Sequence, residues 1–249
     1  MTDGIITACL GTHDGHTATA FTTMRAVGRS PELLCPALGV STKRFARPHQ
    51  VHSTVVRQIA EEFFSLTEET RTMLLDGVDA VIYDVRDACI GISTADCIPV
   101  LCYDTEHHCA AAIHAGWRGT VARIVTKAVE MMQETYHTDP SKLTCIIGPG
   151  IEATSFEVGD EVYEAFKEAG FPMEEMAKRM PAMGARNSGK EWKWHLDIKL
   201  CNKMQLISLG VKEQNITVSD IDTMTDSRFF SARRDGNTTG RMLSGIILR

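Results

Sequence analysis

A series of short β-type segments between residues 79 and 113, followed by an amphipathic helix, most constrains the fold of this chain. The segments are rich in apolar residues, are separated by turn residues, and span 79–83, 88–93, 98–103 and 109–113. From Thr120 onward, apolar residues recur at steps of three and four, which predicts a helix with one buried face. Because strands and helices intermix without a strict βαβ rhythm, the sequence predicts a mixed α/β fold of the α+β type, with helices covering a mixed sheet.

Outside this block the patterns predict fewer elements. We expect strands at 17–23, 144–147 and 242–248, helices at 160–168 and 197–209, and a stretch at 53–66 that starts extended and turns helical. Pro31, Pro36 and Pro48 predict a loop in the weakly patterned region 1–50, and residues 171–190 predict a polar, mobile surface excursion. A length of 249 residues suits one domain spanning 1–249.

Charge and composition exclude several classes of protein. A formal net charge of −6 argues against a nucleic-acid binder, because phosphate contacts require a surplus of Lys and Arg. No apolar run is long enough to cross a bilayer, and no basic segment precedes the first apolar stretch, so we expect no membrane partner and a cytoplasmic location. The eight cysteines contain no C-x-x-C pair and are expected to be reduced thiols.

Two residues in the most structured part of the chain are candidates for chemistry. Cys97 falls in the turn after one predicted strand, and His114 falls just past the end of another. Rigid sheets often present functional side chains where strands end. Trp117, between two glycines, is placed to shield such a site. Either residue alone is more often an inert buried thiol or a hydrogen-bonded histidine.

Further histidines and arginines give weaker signals. His49 with His52, and His13 with His16, form H-x-x-H pairs in turn-like sequence. Arg118 precedes the amphipathic helix, whose N-terminus favours anions. Three more arginines near the C-terminus could hold a phosphate in bidentate fashion, although spacing alone favours solvated surface residues: Arg233, Arg234 and Arg241.

Several motifs together resemble a known family. They are QVH at 50–52, STADCIPVL at 93–101, HAGWRGT at 114–120, IGPGI at 147–151, FEVG at 156–159, RRDG at 233–236 and TGRM at 239–242. In this order, over roughly residues 45–249, they resemble the YfiH-like family, also called the polyphenol-oxidase or laccase-domain family and now regarded as purine nucleoside phosphorylases.

The resemblance implies a zinc ion held by His52, Cys97 and His114, and a three-layer α/β sandwich related to certain deamidating bacterial toxins. It also implies phosphorolysis of adenosine, guanosine, inosine or 5′-methylthioadenosine, together with adenosine deamination. We expect the partners to be a purine nucleoside and phosphate. We also expect the chain to be a monomer or a homodimer. Three departures bear on substrate choice and leave the metal ligands intact: residues 21–25 only approximate the usual F-S-T-R segment, Ser53 stands where glycine is common, and residues 222–224 replace a Cys-Thr-Tyr-like segment.

The ligand types fit this chemistry. Two imidazoles and a thiolate leave a tetrahedral zinc with one open position, at which a water molecule is acidified toward a pKa of ~7. Such a site suits deamination. Phosphorolysis additionally needs a phosphate, for which the sequence offers Arg118 and the helix start after Gly119, with one or more of the C-terminal arginines.

Three alternatives remain open on sequence grounds. A copper-dependent polyphenol oxidase would share the His₂Cys ligand set, but no His-x-His pair is present. A metal-free amidase of cell-wall precursors would use Cys97 as nucleophile and His114 as base. A structural zinc would only join the loops.

Overall fold

The mixed α/β class is confirmed by the computed structural model, which describes residues 4–13, 15–182 and 191–249. Within these ranges the strands form three sheets rather than one. The six-stranded sheet contains, in spatial order, β13 (Ile216–Val218), β9 (Leu143–Ile147), β7 (Ile98–Asp104), β8 (Cys109–Ala115), β5 (Ala80–Tyr83) and β4 (Val56–Ile59). The β4–β5 and β9–β13 pairs are parallel and the others antiparallel, so the sheet is mixed.

The second large sheet joins the beginning of the chain to its end. Its strands, in spatial order, are β1 (Ile5–His13), β2 (His16–Thr23), β14 (Met242–Leu248), β6 (Cys89–Thr94) and β3 (Phe45–Ala46). Only the β3–β6 pair is parallel. A small antiparallel sheet contains β10 (Glu157–Val158), β12 (Trp192–Leu196) and β11 (Ala177–Pro181).

Helices cover the sheets and border the loops. They are α1 (Pro31–Ala37), α2 (Glu68–Leu74), α3 (Trp117–Val121), α4 (Ile124–Tyr136), α5 (Asp160–Glu168), α6 (Met173–Met176), α7 (Ile198–Ser208) and α8 (Ala232–Asp235). No helix among the described residues is long and apolar enough to cross a membrane.

The layers follow from the alternation of side chains along each strand. On β7, Val100 and Cys102 face α4 and α7, whereas Leu101 and Tyr103 face the five-stranded sheet. Helices, six-stranded sheet and five-stranded sheet thus form three layers, and α1 packs on the outer face of the third. Tyr83, fully buried between the sheets, joins them by donating to the Ile246 carbonyl (2.8 Å) and accepting from its N–H (3.1 Å).

The loop predicted around Pro31, Pro36 and Pro48 was partly wrong, because α1 lies there, and β1 was not predicted. Pro31 is compatible with a helix since it occupies the first turn, where its missing N–H is not needed, and Ser30 caps that end. The helix expected from Thr120 instead begins at Ile124. Arg123 has a left-handed backbone (φ 62°) and separates α3 from α4. Arg118 therefore lies within the short helix α3 and not at the N-terminus of the amphipathic helix α4.

The surface excursion predicted at 171–190 was also wrong for its first part. Met173 and Met176 of α6 are buried against Phe166 and Leu196, and β11 pairs with β12. The rest of that stretch, 183–190, lies outside the described residues. The prediction of a C-terminal helix stop at Gly210 is confirmed by the left-handed φ of 97° there.

Candidate metal centre and adjoining cleft

Three side chains from separate elements converge where the two large sheets meet. Cys97 lies in the turn from β6 to β7, His114 lies in β8 one residue before its end, and His52 follows β3 in a loop. One potential ligand atom from each lies within 4.8 Å of the other two. The Cys97 Sγ and His52 Nε2 are 3.7 Å apart, and the two imidazole centroids are 4.9 Å apart. The sequence predicted that His114 lies just past the end of its strand, whereas His114 lies within β8.

A buried carboxylate, Asp79, orients both histidines. Its Oδ1 bonds His114 Nδ1 at 2.7 Å, which leaves His114 Nε2 for the cluster. It also accepts the backbone N–H groups of Val51, His52 and Ser53 at 2.8–3.1 Å. Burial raises the pKa of Asp79, but the hydrogen bonds from His114 and the backbone outweigh burial and lower the pKa to about 2. A carboxylate behind a ligating histidine is the usual arrangement at protein metal sites.

The backbone at the cluster is constrained as well. His52 has a φ of 62° and Asp96, next to Cys97, a φ of 81°; both values lie in the left-handed region that such residues seldom adopt. A Cβ on Gly116 would lie 2.9 Å from His52 Cδ2 and 3.0 Å from Cys97 Sγ. Glycine at position 116 therefore lets the backbone approach the ligand residues closely. Trp117 packs against two core clusters instead of lining the cleft.

The cluster favours a charged thiolate. Burial raises the pKa of the Cys97 thiol, but His114 and His52 outweigh burial and lower the pKa to about 6. Burial lowers the pKa of His114, but Cys97 and Asp79 outweigh burial and raise the pKa to about 9. A thiolate and two imidazoles are a ligand set that suits zinc or copper. The His52, Cys97 and His114 cluster could therefore hold a metal ion.

The same three side chains line a cleft of about 680 Å³. A metal ion held by them would face this cleft, as a catalytic site with an open position requires. Of the arginines suggested by the sequence, Arg118 and Arg241 line the cleft. Arg118 also lies over the Trp117 ring, 4.2 Å from its centroid.

Arg233 and Arg234 lie outside the cleft lining. The Arg233 guanidinium donates to the Glu157 carbonyl. Arg234 pairs with Asp235 and donates to backbone carbonyls around Met224 and Phe229, so its charge holds a loop together. The predicted phosphate role of these two arginines is not supported by their placement. His49 lines the cleft but bonds Asp76, and it is not part of the ligand cluster.

Sequence reasoning missed several cleft residues. Arg29 and Arg47 line the cleft, although both lie in the weakly patterned region 1–50. Proximity of Arg47 to the QVH motif is the signal that would have pointed to it. Asp79 was counted only as the first residue of a β-type run. An acidic residue at the start of an otherwise apolar strand was the available signal.

Comparison with known proteins identifies the family of this chain. The model of a family described as multi-copper polyphenol oxidoreductase laccase matches residues 19–249. The chain is similar to a purine nucleoside phosphorylase of Bacteroides thetaiotaomicron, with 40% identity over 223 residues, 89% of this chain and 80% of that protein. It is also similar to adenosine deaminase RL5 from an unknown prokaryotic organism, with 38% identity over 214 residues, 86% of this chain and 78% of the relative.

Solved structures share the fold. The Bacillus licheniformis hypothetical protein YfiH matches with a TM-score of 0.79 at 23% identity, covering 93% of both chains. YlmD from Geobacillus stearothermophilus matches with a TM-score of 0.77 at 25% identity, covering 93% of this chain and 92% of that one. With a family match that spans 19–249 and relatives at 40% and 38% identity, the chain belongs to the multi-copper polyphenol oxidoreductase laccase family, which includes the YfiH- and YlmD-type proteins.

Proposed function

We propose that this protein is a zinc-dependent purine nucleoside phosphorylase that also deaminates adenosine. The observation that carries the proposal is the convergence of His52, Cys97 and His114 in a cleft that also contains guanidinium groups. The names of the two relatives cover the two reactions. We propose adenosine, guanosine or inosine, and 5′-methylthioadenosine as substrates, and a cytoplasmic location.

In this proposal, three residues bind the metal ion and a fourth orients one of them. His52, Cys97 and His114 would hold the zinc ion, which when bound supplies a Lewis acid to the substrate. Asp79 fixes the tautomer of His114 by accepting its Nδ1 proton. In phosphorolysis, phosphate attacks C1′ of the ribose, the bond to the purine breaks, and the base leaves with a proton. In deamination, water replaces the amino group at C6 and ammonia leaves.

The test is to incubate metal-verified protein with adenosine, with and without phosphate, and to identify the products by chromatography. Adenine formed only with phosphate supports phosphorolysis, and inosine formed without phosphate supports deamination. Cys97→Ser is expected to abolish both, whereas Asp220→Asn, an exposed surface change, should leave both intact. Absence of both products would overturn the nucleoside proposal.

A cysteine hydrolase is the second candidate, favoured by one observation. The lowered pKa of Cys97 beside the raised pKa of His114 describes a thiolate–imidazolium pair, the activated form of a cysteine nucleophile. Alkylation distinguishes the two proposals. We expect iodoacetamide to label Cys97 only after chelation, whereas rapid labelling of the metal-loaded protein with loss of amidase activity would favour the hydrolase.

The family description also raises copper chemistry. We propose zinc over copper because the sequence has no His-x-His pair of the kind that holds a multinuclear copper cluster. Metal analysis of the purified protein, combined with oxygen uptake on a phenol, tests this choice. Bound copper with oxygen consumption would overturn it.

A further inference from the structure

A second set of cleft residues lies at one end of the five-stranded sheet. The strands β2 and β6 end there, and β14 begins there because it runs antiparallel to both. The short strand β3 pairs with the first residues of β6, and the chain after it reaches the same end, where Gln50 bonds Ser93. Arg29 follows β2, Arg47 follows β3, Arg241 immediately precedes β14, and Ser93 is the second-last residue of β6. All four line the cleft that contains the metal-ligand cluster. Arg118 comes from α3 and is not part of this set.

The three guanidinium groups carry charge without a carboxylate partner among the described residues. Arg241 donates to the backbone carbonyls of Asn237, Thr239 and Gly240, which fix its position but leave its charge uncompensated. Burial and the charge of Arg241 lower the pKa of Arg29. Burial and the charge of Arg29 lower the pKa of Arg47. Within the cleft that all three line, Arg29 is repelled by Arg241 and Arg47 by Arg29, a cost that a bound anion would reduce.

The main chain holds two of these cations together. Thr23 Oγ1 donates to the Gly28 carbonyl at 2.6 Å, which fixes the turn that carries Arg29. Gly28 has a φ of +58°, and a Cβ there would lie 3.6 Å from the Arg241 carbonyl oxygen. The backbone before Arg29 therefore packs directly against that of Arg241.

Ser93 supplies an independent sign of a ligand. Ser93 is only 9% exposed, and its hydroxyl has no hydrogen-bond partner in the part of the chain that the structure describes. The amide of Gln50 uses both backbone groups of Ser93, donating to its carbonyl (2.8 Å) and accepting from its N–H (2.7 Å). The same contact joins the loop with Arg47 and His52 to β6. A buried hydroxyl without a partner is costly. Because Ser93 lines the cleft, rotation of its side chain toward the cleft would let a ligand oxygen satisfy the hydroxyl.

We propose that Arg29, Arg47, Arg241 and Ser93 form the subsite for a phosphate group. Guanidinium groups bind phosphate oxygens in bidentate fashion, and the Ser93 hydroxyl can donate to a further oxygen. The assignment of this group as the attacking phosphate rests on the proposed phosphorylase function. The binding chemistry itself is shared by inorganic phosphate and by the phosphate of a nucleoside monophosphate.

Calorimetric titration of inorganic phosphate into metal-loaded protein, in a phosphate-free buffer at fixed ionic strength, tests the subsite. We expect Arg29→Gln and Arg47→Gln each to raise the Kd for phosphate by about 10- to 100-fold, because each removes charge-assisted hydrogen bonds. Arg57→Gln, an exposed change on β4 outside the cleft, is the matched control and should leave the Kd unchanged. The metal content of every variant is measured alongside.

The Ser93→Ala variant distinguishes a role of the hydroxyl in ligand binding from a role in the stability of the fold. A merely structural hydroxyl without a partner can be removed at no cost, so the Tm is expected to stay or rise while the phosphate Kd increases several-fold. AMP is titrated into the same proteins to identify the source of the phosphate group. If the substitutions raise the Kd for inorganic phosphate, the ligand of the subsite is the free anion. If they raise only the Kd for AMP, the ligand is the phosphate group of a nucleotide.

Unchanged affinity of the cleft variants for both probes would overturn the subsite. An equal loss in Arg57→Gln would do the same, since it would indicate general charge attraction. A loss specific to Arg118→Gln would move the phosphate to α3. Phosphate binding through the proposed residues in a protein that cleaves no nucleoside would contradict the proposed function and leave the subsite intact.

Discussion

At the residue scale, the candidate metal centre depends on side chains that are not ligands. Asp79 orients two histidines through one carboxylate, and Gly116 leaves the space that the ligand atoms fill. Asp79 accepts hydrogen bonds from the N–H groups of Val51, His52 and Ser53. These three bonds hold the backbone of His52 in its left-handed conformation. A substitution at either Asp79 or Gly116 should therefore impair metal binding without removing a ligand.

Gly116→Ala is expected to weaken metal binding by at least about tenfold, because the added methyl group would collide with His52 and Cys97. The measurement is competition with a colorimetric chelator. Gly159→Ala is a matched control, since the atoms nearest to its methyl group belong to the exposed, flexible Glu161 side chain, which can move away. Equal affinity in Gly116→Ala and the unmodified protein would contradict the role of Gly116.

Asp79→Asn is expected to lower metal affinity by about 10- to 100-fold and to destabilise the protein by about 1–3 kcal/mol. An amide supplies fewer acceptors for the backbone N–H groups and for His114. The lowered pKa of Asp79 also sets a pH dependence: in metal-free protein its stabilising contribution is present above about pH 4 and is lost as the pH falls through about 2.

Denaturant unfolding of metal-free protein between pH 2 and pH 6 measures this contribution. The stability difference between the unmodified protein and Asp79→Asn should narrow at the acid end of the range. A constant difference across the range would show that the carboxylate charge is not what stabilises the loop.

At the element scale, one carboxylate joins the turn carrying Cys97 to the C-terminal wall of the cleft. Asp96 accepts hydrogen bonds from Thr223 Oγ1 (2.7 Å), Ser231 Oγ (3.0 Å) and the Arg233 N–H (2.6 Å). The last two contacts cap the start of α8, after which Arg241 and its neighbours enter the cleft. The position of α8 is thus set by the residue adjacent to Cys97.

Asp96→Asn is expected to raise the KM for nucleoside and phosphate several-fold and to cost about 1–3 kcal/mol of stability, while the metal remains bound. Asn tolerates the left-handed backbone at this position, so the change isolates the loss of the carboxylate. Steady-state kinetics and metal analysis provide the two measurements, with Asp220→Asn as the control. Loss of metal with unchanged KM would place the effect at Cys97 instead.

At the scale of the whole molecule, the order of strands makes distant parts of the chain interdependent. The last strand, β14, lies between β2 and β6 in the five-stranded sheet. The turn from β6 to β7 then passes to the six-stranded sheet through Cys97. We propose on this basis that residues 1–249 fold as one domain.

A single domain is expected to unfold in one cooperative transition. The three tryptophans, Trp117, Trp192 and Trp194, contact or lie in the small sheet and its core cluster, so their fluorescence reports on that region. Far-ultraviolet circular dichroism is dominated by the rest of the molecule. The two thermal transitions should coincide, and chelation should lower both Tm values together. Separate transitions would show that the small sheet is an independent unit.

Elements with a local signal could be predicted from the residues alone. The apolar runs of β5 to β9 and the periodicity of α5 and α7 appear close to their predicted bounds, because burial on one or both faces dictates residue type along such segments. The QVH, TADC and HAGWRG motifs likewise indicated His52, Cys97 and His114 as one group through their resemblance to a family.

The other side chains of the site could not be predicted, because long-range packing brings them together. Arg29 and Arg47 reach the cleft because β2 and β6 end, and β14 begins, at one end of the five-stranded sheet, and the chain after β3 leads to the same end. This juxtaposition is set by non-local pairing. Arg233 and Arg234 look equally suited in sequence, but they turn to a carbonyl and to Asp235. The residue type determines which ligands a side chain can bind. The order of strands in the sheet determines which other residues lie next to it.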